Sequence, residues 1–132
     1  MITKINHIGI AVNRIEDAAR LYTEILGLSI KYIEKIADQK IRTAIISVGE
    51  SKIELIESTD PEGSIAKFIA SRGEGLHHIA LEVNNLERIL KVLTKSGIPL
   101  IDEKPRKGVE QTIIAFLHPK GTGGVLLELV QS

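Results

Sequence analysis

Apolar residues near the start of the chain alternate with polar or small ones, as they do in a half-buried β-strand. Within residues 4–12, Ile8 and Ile10 fall on one face, whereas His7 falls on the other face beside a glycine and an alanine. The apolar spacing then changes to three or four residues, which predicts a helix that ends at Gly27. Extended segments are expected next, and the predicted order is therefore β-α-β-β-β. These segments lie at about 29–35, 41–48 and 51–57.

The second half of the chain repeats this pattern. His78 falls 71 positions after His7 within matching segments of alternating residues. Glu128 falls 74 positions after Glu54, again within matching apolar segments. A repeat of this length indicates a duplicated supersecondary unit. A helix ending at Gly97 is predicted here, followed by extended segments at about 98–103, 111–117 and 124–130.

Two tandem βαβββ modules in a chain of 132 residues predict one domain of the α+β class. Module 1 covers about 1–60, a linker with a short helix covers 61–73, and module 2 covers about 74–132. Asn13 and Asn84, each followed three residues later by a Glu, are expected to cap the two helices of the modules. The repeat therefore places matching residues of the two halves on matching elements.

Composition and charge exclude several classes of protein. Seventeen basic residues balance seventeen acidic ones, so we expect no nucleic-acid partner. The absence of cysteine excludes disulfides, cysteine-type zinc sites and thiol nucleophiles. No apolar run approaches the ~20 residues that cross a membrane, and the start of the chain lacks an apolar signal segment. We therefore expect a cytoplasmic protein that does not bind a membrane.

Two histidines and two glutamates are the candidate site residues, because the repeat pairs them. His7 and His78 share their strand faces with small residues, which leaves space for a ligand. Glu54 and Glu128 stand in apolar strands, where a carboxylate either faces solvent or is buried with a partner or cation. Two neutral imidazoles and two carboxylates balance the charge of a divalent cation and leave two octahedral positions open. The four residues therefore form a candidate metal site.

Several segments of the chain resemble the vicinal oxygen chelate superfamily, which includes glyoxalase I, extradiol dioxygenases and bleomycin or fosfomycin resistance proteins. The resemblance covers nearly the whole chain and is greatest to the methylmalonyl-CoA epimerase family within that superfamily. The segment 6–12 is common to the superfamily, whereas the segment 102–108 and the interrupted segment 116–129 resemble the epimerases specifically. The segments that carry the resemblance are 6–12, 73–80, 102–108, 116–120 and 123–129.

The resemblance implies two βαβββ modules that form a curled sheet cup around a divalent metal ion, for which Co²⁺ or Mn²⁺ is expected. It implies that His7, Glu54, His78 and Glu128 bind the ion, and that Glu128 is also a catalytic residue that transfers a proton. The implied reaction interconverts (R)- and (S)-methylmalonyl-CoA by removing and returning the C2 proton through a metal-stabilised enolate. The implied partners are a CoA thioester substrate and a second copy of the chain in a homodimer.

The second proton-transfer residue is an open question. Inversion needs acid–base groups on both faces of the planar intermediate. Some relatives place a Glu in the strand that corresponds to residues 41–45, but this chain has Thr43 there, and Thr is a poor base. Either the register is shifted, or Glu54 or a metal-bound water serves, or the activity differs.

Contacts to the CoA phosphates are equally open. Four cations in the two epimerase-like loops could meet phosphate or could simply face solvent. They are Lys104, Arg106, Lys107 and Lys120.

Two alternatives to the epimerase remain. A lactoylglutathione lyase of the glyoxalase I type uses the same kind of metal site and also removes a proton next to a carbonyl. A ligand-binding protein of the resistance type needs no catalysis, and its members can dispense with metal. The loop at 102–108 and the Gly121–Gly124 stretch favour the CoA enzyme over the glutathione one. The complete set of four candidate ligands counts against the binding protein.

Overall fold

The structure, a computed structural model, describes all 132 residues as a mixed α+β fold with eight strands and three α-helices. The order β-α-β-β-β occurs twice, with one helix between the two runs, as the sequence predicts. None of the helices is both long and apolar enough to span a membrane. The elements are β1 (Ile2–Ala11), α1 (Ile15–Arg20), β2 (Ile30–Ile36), β3 (Ile41–Val48), β4 (Ser51–Ser58), α2 (Ser64–Arg72), β5 (Gly75–Val83), α3 (Leu86–Lys95), β6 (Arg106–Lys107), β7 (Ile113–Leu117) and β8 (Leu127–Gln131).

The residues group into two compact units. We call residues 8–77 the central unit, and residues 1–7 together with 78–132 the terminal unit. β1 and β5 each contribute residues to both units. The predicted modules follow the sequence repeat instead, and their boundaries at about 60 and 74 stay a prediction.

In the central unit, β2, β3 and β4 form an antiparallel meander, and the end of β1 lies next to β4. One face of these strands packs against α1 and the other against α2. Alternate residues of β3 separate the two cores, since Ala44 and Ile46 belong to the first and Ile41 belongs to the second.

In the terminal unit, the strand order is β1-β5-β8-β7-β6, with β5 and β8 parallel and β8 antiparallel to β7. The amphipathic helix α3 packs on one face of these strands, where Ala115, Leu117 and Leu129 are buried. The neighbouring residues Phe116 and Val130 point to the opposite face. That second face is where the polar site described below lies.

The N-terminus of α1 departs from the predicted capping. The cap residue is Arg14, which makes no capping hydrogen bond through its side chain, so the prediction for Asn13 is wrong. Instead, Glu57 near the end of β4 accepts the backbone N–H of Ile15 at 2.8 Å. A strand side chain therefore satisfies one of the helix N–H groups that lack a partner within the helix.

α3 has both a capping bond from its own cap residue and an acceptor from a strand. Its cap residue is Asn85, not Asn84, and the Asn85 side chain accepts the N–H of Arg88 at 3.1 Å. Gln131 of β8 accepts the N–H of Leu86 at 2.7 Å. Gln131 follows Glu57 by 74 positions, the same offset that separates the two candidate glutamates of the site. The repeat thus extends to individual side-chain hydrogen bonds.

Both of these helices end at a glycine, as predicted. Gly27 and Gly97 have φ angles of 77° and 74°, which are unfavourable for residues with a Cβ.

A π-helical turn over Leu21–Ile25 follows α1, and α3 has no such turn. A π turn accommodates an extra residue. This accounts for the change in the repeat offset from 71 before the helices to 70 at their glycines.

The strand expected at about 98–103 is wrong. This segment makes only an isolated bridge between Leu100 and Leu117, and the corresponding strand is the short β6. Pro99 has no N–H to donate to a strand ladder. The Asp102 carboxylate accepts the N–H of Phe116 at 2.9 Å, which uses a ladder position of β7 for a side chain.

Candidate metal centre

Three polar side chains converge within the terminal unit. His7 from β1, His78 from β5 and Glu128 from β8 are each between 2% and 6% exposed. His78 Nε2 lies 3.0 Å from His7 Nε2 and 3.0 Å from Glu128 Oε1. His7 Nε2 lies 3.5 Å from the same carboxylate oxygen. Two imidazole nitrogens and one carboxylate oxygen therefore face one another in a buried position.

Strand register brings these groups together. β5 and β8 are parallel with Ala80 opposite Glu128, and Ala80 lies two residues after His78 on the same face. The small alanine leaves room for the two longer side chains to meet. On the other side of β8, Phe116 is opposite Glu128, and its ring packs edge-on against the His78 ring at 5.6 Å between centroids. Apolar neighbours thus limit the water around the site.

The environment keeps Glu128 ionised. Burial raises the pKa of this carboxyl, but at the acidic pH where it titrates, protonated His7 and His78 donate hydrogen bonds to it and their positive charge favours its ionised form, so the net pKa is lowered to about 2. At neutral pH Glu128 is therefore a carboxylate, which is the protonation state that a metal requires of this residue.

The spacing of these atoms fits a divalent ion. Octahedral ligands at the 2.0–2.1 Å typical of a small divalent cation are about 2.8–3.0 Å from their nearest neighbours. The three observed separations are 3.0, 3.0 and 3.5 Å. Imidazole nitrogen and carboxylate oxygen are suitable donors for several transition metals. His7, His78 and Glu128 could therefore hold a divalent metal ion.

Glu54, the fourth predicted ligand, lies in the central unit. It is 2% exposed on β4, opposite Ile45 of β3. A carboxylate this deeply buried needs a compensating partner or cation. Its role as a metal ligand stays a prediction.

Thr43, the residue that replaces the expected base, is also buried in the central unit. It is 1% exposed on β3, two residues before Ile45, and its hydroxyl has no hydrogen-bond partner. An unpaired buried hydroxyl is unfavourable unless a ligand satisfies it. Thr43 can donate a hydrogen bond to such a ligand, but it cannot act as a base of useful strength.

The four cations proposed to meet phosphate are all exposed. Arg106 pairs with Asp102 at 3.3 Å, and its guanidinium lies 5.4 Å from the centre of the Phe116 ring. Arg106 is thus held beside an aromatic residue of the site. Contacts of Lys104, Lys107 and Lys120 with a substrate stay predictions.

Two polar residues next to the site carry no signal in the sequence pattern. Asn6 is 4% exposed and lies 2.7 Å from His7, and Glu82 lies 2.8 Å from Asn6. In the repeat, their counterparts are His77 and Ala11, so neither residue is matched by one of its own type. Only the paired positions of the two halves marked residues as functional, so these two were missed.

Comparison with known proteins places the chain in a family. Residues 6–116 match the Glyoxalase/Bleomycin resistance protein/Dioxygenase superfamily model. An uncharacterized protein of Bacillus subtilis, YqjC, is 39% identical over 98% of this chain and 93% of its own. Human mitochondrial methylmalonyl-CoA epimerase is 33% identical over 98% of this chain and 74% of its own.

A solved structure of methylmalonyl-CoA epimerase in complex with methylmalonyl-CoA and NH4+ has a TM-score of 0.95 and 32% identity, with 100% of this chain and 96% of that chain covered. This similarity confirms the predicted α+β fold of two βαβββ runs. The chain belongs to the Glyoxalase/Bleomycin resistance protein/Dioxygenase superfamily and, within it, to the methylmalonyl-CoA epimerase family of isomerases.

Proposed function

We propose that this chain interconverts (R)- and (S)-methylmalonyl-CoA by removing the C2 proton and returning it to the opposite face. The observation that carries the proposal is the buried cluster of His7, His78 and Glu128 in a chain similar over its full length to a protein that binds methylmalonyl-CoA. C2 lies between a thioester and a carboxylate, so its deprotonation gives an enolate. A divalent ion in the cluster would supply the positive charge that stabilises this enolate.

Glu128 is the residue we propose to move a proton. Because its pKa is about 2, the carboxylate is ionised at neutral pH and can accept a proton. The same low pKa makes Glu128 a weak base. Proton removal from C2 therefore depends on stabilisation of the developing negative charge. An ion bound by Glu128 would supply that stabilisation, so Glu128 can be both a ligand and the proton carrier.

The opposite face of the intermediate needs a second proton carrier, and Glu54 is the residue we propose for testing. It is a buried carboxylate on a strand that pairs with the strand of Thr43. Thr43 lacks the basicity for this step but has a hydroxyl available to hold a substrate oxygen. Glu54 could alternatively be a fourth metal ligand, and the experiments below separate the two roles.

The deciding experiment incubates the purified protein with Co²⁺ or Mn²⁺ and (S)-methylmalonyl-CoA in D₂O. We expect the (R) form to appear together with one deuterium at C2, measured by chiral analysis and mass spectrometry. A parallel incubation contains the glutathione hemithioacetal. Turnover of that compound, without exchange of the C2 proton of methylmalonyl-CoA, would overturn the proposal in favour of a glyoxalase I-type lyase. Tight binding of the thioester with neither reaction would favour a binding protein.

Three finer expectations belong to the same proposal. Elemental analysis should identify Co²⁺ or Mn²⁺ as the activating ion. Light scattering should give twice the 14.5 kDa mass of one chain if the protein is a homodimer. Fractionation of the source cells should find the protein in the cytoplasm, although the human relative is named as mitochondrial.

A further inference from the structure

A chain of hydrogen bonds extends from the candidate metal centre to a carboxylate behind it. His7 Nδ1 lies 2.7 Å from Asn6 Oδ1, and Asn6 Nδ2 donates to Glu82 Oε1 at 2.8 Å. All three residues belong to the terminal unit, and His7 and Asn6 are at most 4% exposed. We call Glu82, Asn6 and His7 the relay.

The chemistry of each group fixes the direction of these bonds. An ionised carboxylate only accepts hydrogen bonds, so Glu82 orients the NH₂ group of Asn6 towards itself. The amide oxygen of Asn6 then faces His7, and because it too only accepts, the hydrogen must be on His7 Nδ1. In the neutral ring, the lone pair is therefore on Nε2, the nitrogen that faces His78 and Glu128.

We infer that Asn6 and Glu82 are positioning residues that hold His7 in the Nδ1–H tautomer, with its Nε2 lone pair directed at the metal centre. The inference rests on the proposed metal-binding role of His7. Without the relay, the imidazole can place its hydrogen on either nitrogen and can rotate about its side-chain bonds. Binding a metal ion through Nε2 must then offset the cost of selecting one tautomer and one orientation.

Replacement of Asn6 by Leu tests the inference because leucine has a similar size and no hydrogen-bonding groups. Loss of a partner behind a metal-ligating histidine typically weakens metal binding by 10–100-fold. We expect Asn6→Leu to weaken Co²⁺ binding by about that factor, measured by titration against a competing chelator. The corresponding control is Glu87→Leu, which removes an exposed carboxylate from α3, on the opposite face of the strands.

The tautomer itself is measured in the metal-free protein. In histidine labelled with ¹⁵N, a ring nitrogen that carries hydrogen and one that carries a lone pair have widely separated chemical shifts. At a pH well above the ordinary histidine pKa, we expect His7 to be the Nδ1–H tautomer in the wild type and a mixture in Asn6→Leu. A mainly Nε2–H wild-type His7, or an unchanged tautomer in the variant, would overturn the relay.

A second pair of variants guards against a folding defect at the buried Asn6. Glu82→Leu removes the group that orients the amide, whereas Glu82→Gln keeps an oxygen that can accept from Asn6. We expect the leucine variant to weaken Co²⁺ binding and the glutamine variant to restore most of it. Equal affinities in the two variants would contradict a positioning role for Glu82.

The outcomes separate this inference from the proposed reaction. The protein could fail to epimerise methylmalonyl-CoA while its His7 tautomer and its Co²⁺ affinity still depend on Asn6. That result would support the relay and contradict the proposed reaction. Epimerisation with a Co²⁺ affinity that does not change when Asn6 or Glu82 is replaced would support the reaction and contradict the relay.

Discussion

The central and terminal units are built from the same elements but differ in their polar side chains. In both, the last strand of the repeat satisfies the first N–H of a helix, through Glu57 in one and Gln131 in the other. Both also bury a glutamate on that strand, Glu54 and Glu128, at most 4% exposed. Only the terminal unit assembles three ligand-type atoms by itself, because the first seven residues of the chain belong to it. The repeat thus predicts which residues are polar and buried, whereas the assignment of the first part of β1 to the terminal unit places His7 beside His78 and Glu128.

The strand partners of the two glutamates show the same contrast. Phe116 is opposite Glu128, and Ile45 occupies the matching position opposite Glu54. Thr43 in the central unit corresponds to Ile114 in the terminal unit, 71 positions later. The terminal unit surrounds its polar cluster with apolar side chains, whereas the central unit offers a hydroxyl that has no partner. We therefore expect the three converging residues of the terminal unit to bind the ion.

The largest expected effect distinguishes the two glutamates by activity. With saturating metal, Glu128→Gln should reduce epimerisation by the 10²–10⁴-fold typical of a general acid–base group. Exchange of the C2 proton can survive for the enantiomer that is deprotonated from the other face. Full recovery of epimerisation on addition of metal would leave Glu128 as a ligand alone.

The next effect is on metal binding in the terminal unit. His78→Ala removes one of three converging donor atoms. Loss of a residue that is only hydrogen-bonded to a ligand weakens metal binding by up to ~100-fold, so we expect loss of the ligand itself to weaken it by more. The control is His118→Ala, whose side chain accepts the N–H of Lys120 in a surface turn. Elemental analysis after dialysis is the measurement, and unchanged metal content in His78→Ala would exclude His78 as a ligand.

Glu54→Gln sharpens the comparison because two roles predict different results. If Glu54 is the fourth ligand, metal affinity falls and excess metal restores activity. If it is the second proton carrier, metal affinity is retained while epimerisation is lost and C2 exchange continues for one enantiomer. A variant with wild-type affinity and wild-type epimerisation would contradict both roles.

The sequence predicts features that are marked by a pattern within a short segment, and it does not predict contacts between residues that are distant in the chain. Strand alternation and the repeat are visible within short segments, so they identified His7, His78 and Glu128, which the structure brings together. The hydrogen bond between Asn6 and Glu82 joins residues 76 positions apart, and no local pattern marks it. Glu57 and Gln131 were missed for the same reason, since they accept helix N–H groups from distant strands. The cap of α3 is local, and the prediction misplaced it by one residue, at Asn84 instead of Asn85.

The shared helix contacts allow a stability comparison between the units. Gln131→Ala leaves the N–H of Leu86 without its acceptor, which should cost about 1 kcal/mol of unfolding free energy. Glu57→Ala should cost more, since Glu57 also pairs with Arg42 at 3.2 Å. Glu57→Gln keeps an acceptor and so isolates the ion pair. Urea unfolding measures all three, and equal losses in the two alanine variants would show that the ion pair adds nothing.

The last comparison concerns the pH dependence of stability in the metal-free protein. The pKa of Glu128 is about 2 in the folded state, against an ordinary value of 4.5. The unfolded chain therefore binds the proton first as the pH falls. The stability that this carboxylate contributes is complete above pH 4.5 and is lost as the pH falls towards 2.

Glu16 of α1 provides the comparison from the central unit. Its pKa is also lowered, first by a backbone hydrogen bond at its own helix terminus and then by Arg42. Its side chain is 53% exposed, so solvent screens these interactions and their contribution to stability is small. Urea unfolding at steps from about pH 5 down to about pH 2.5 should therefore give a shallower slope for Glu128→Gln than for the wild type, and a wild-type slope for Glu16→Gln. Equal slopes for all three proteins would mean that the two histidines do not stabilise the Glu128 carboxylate in the absence of metal.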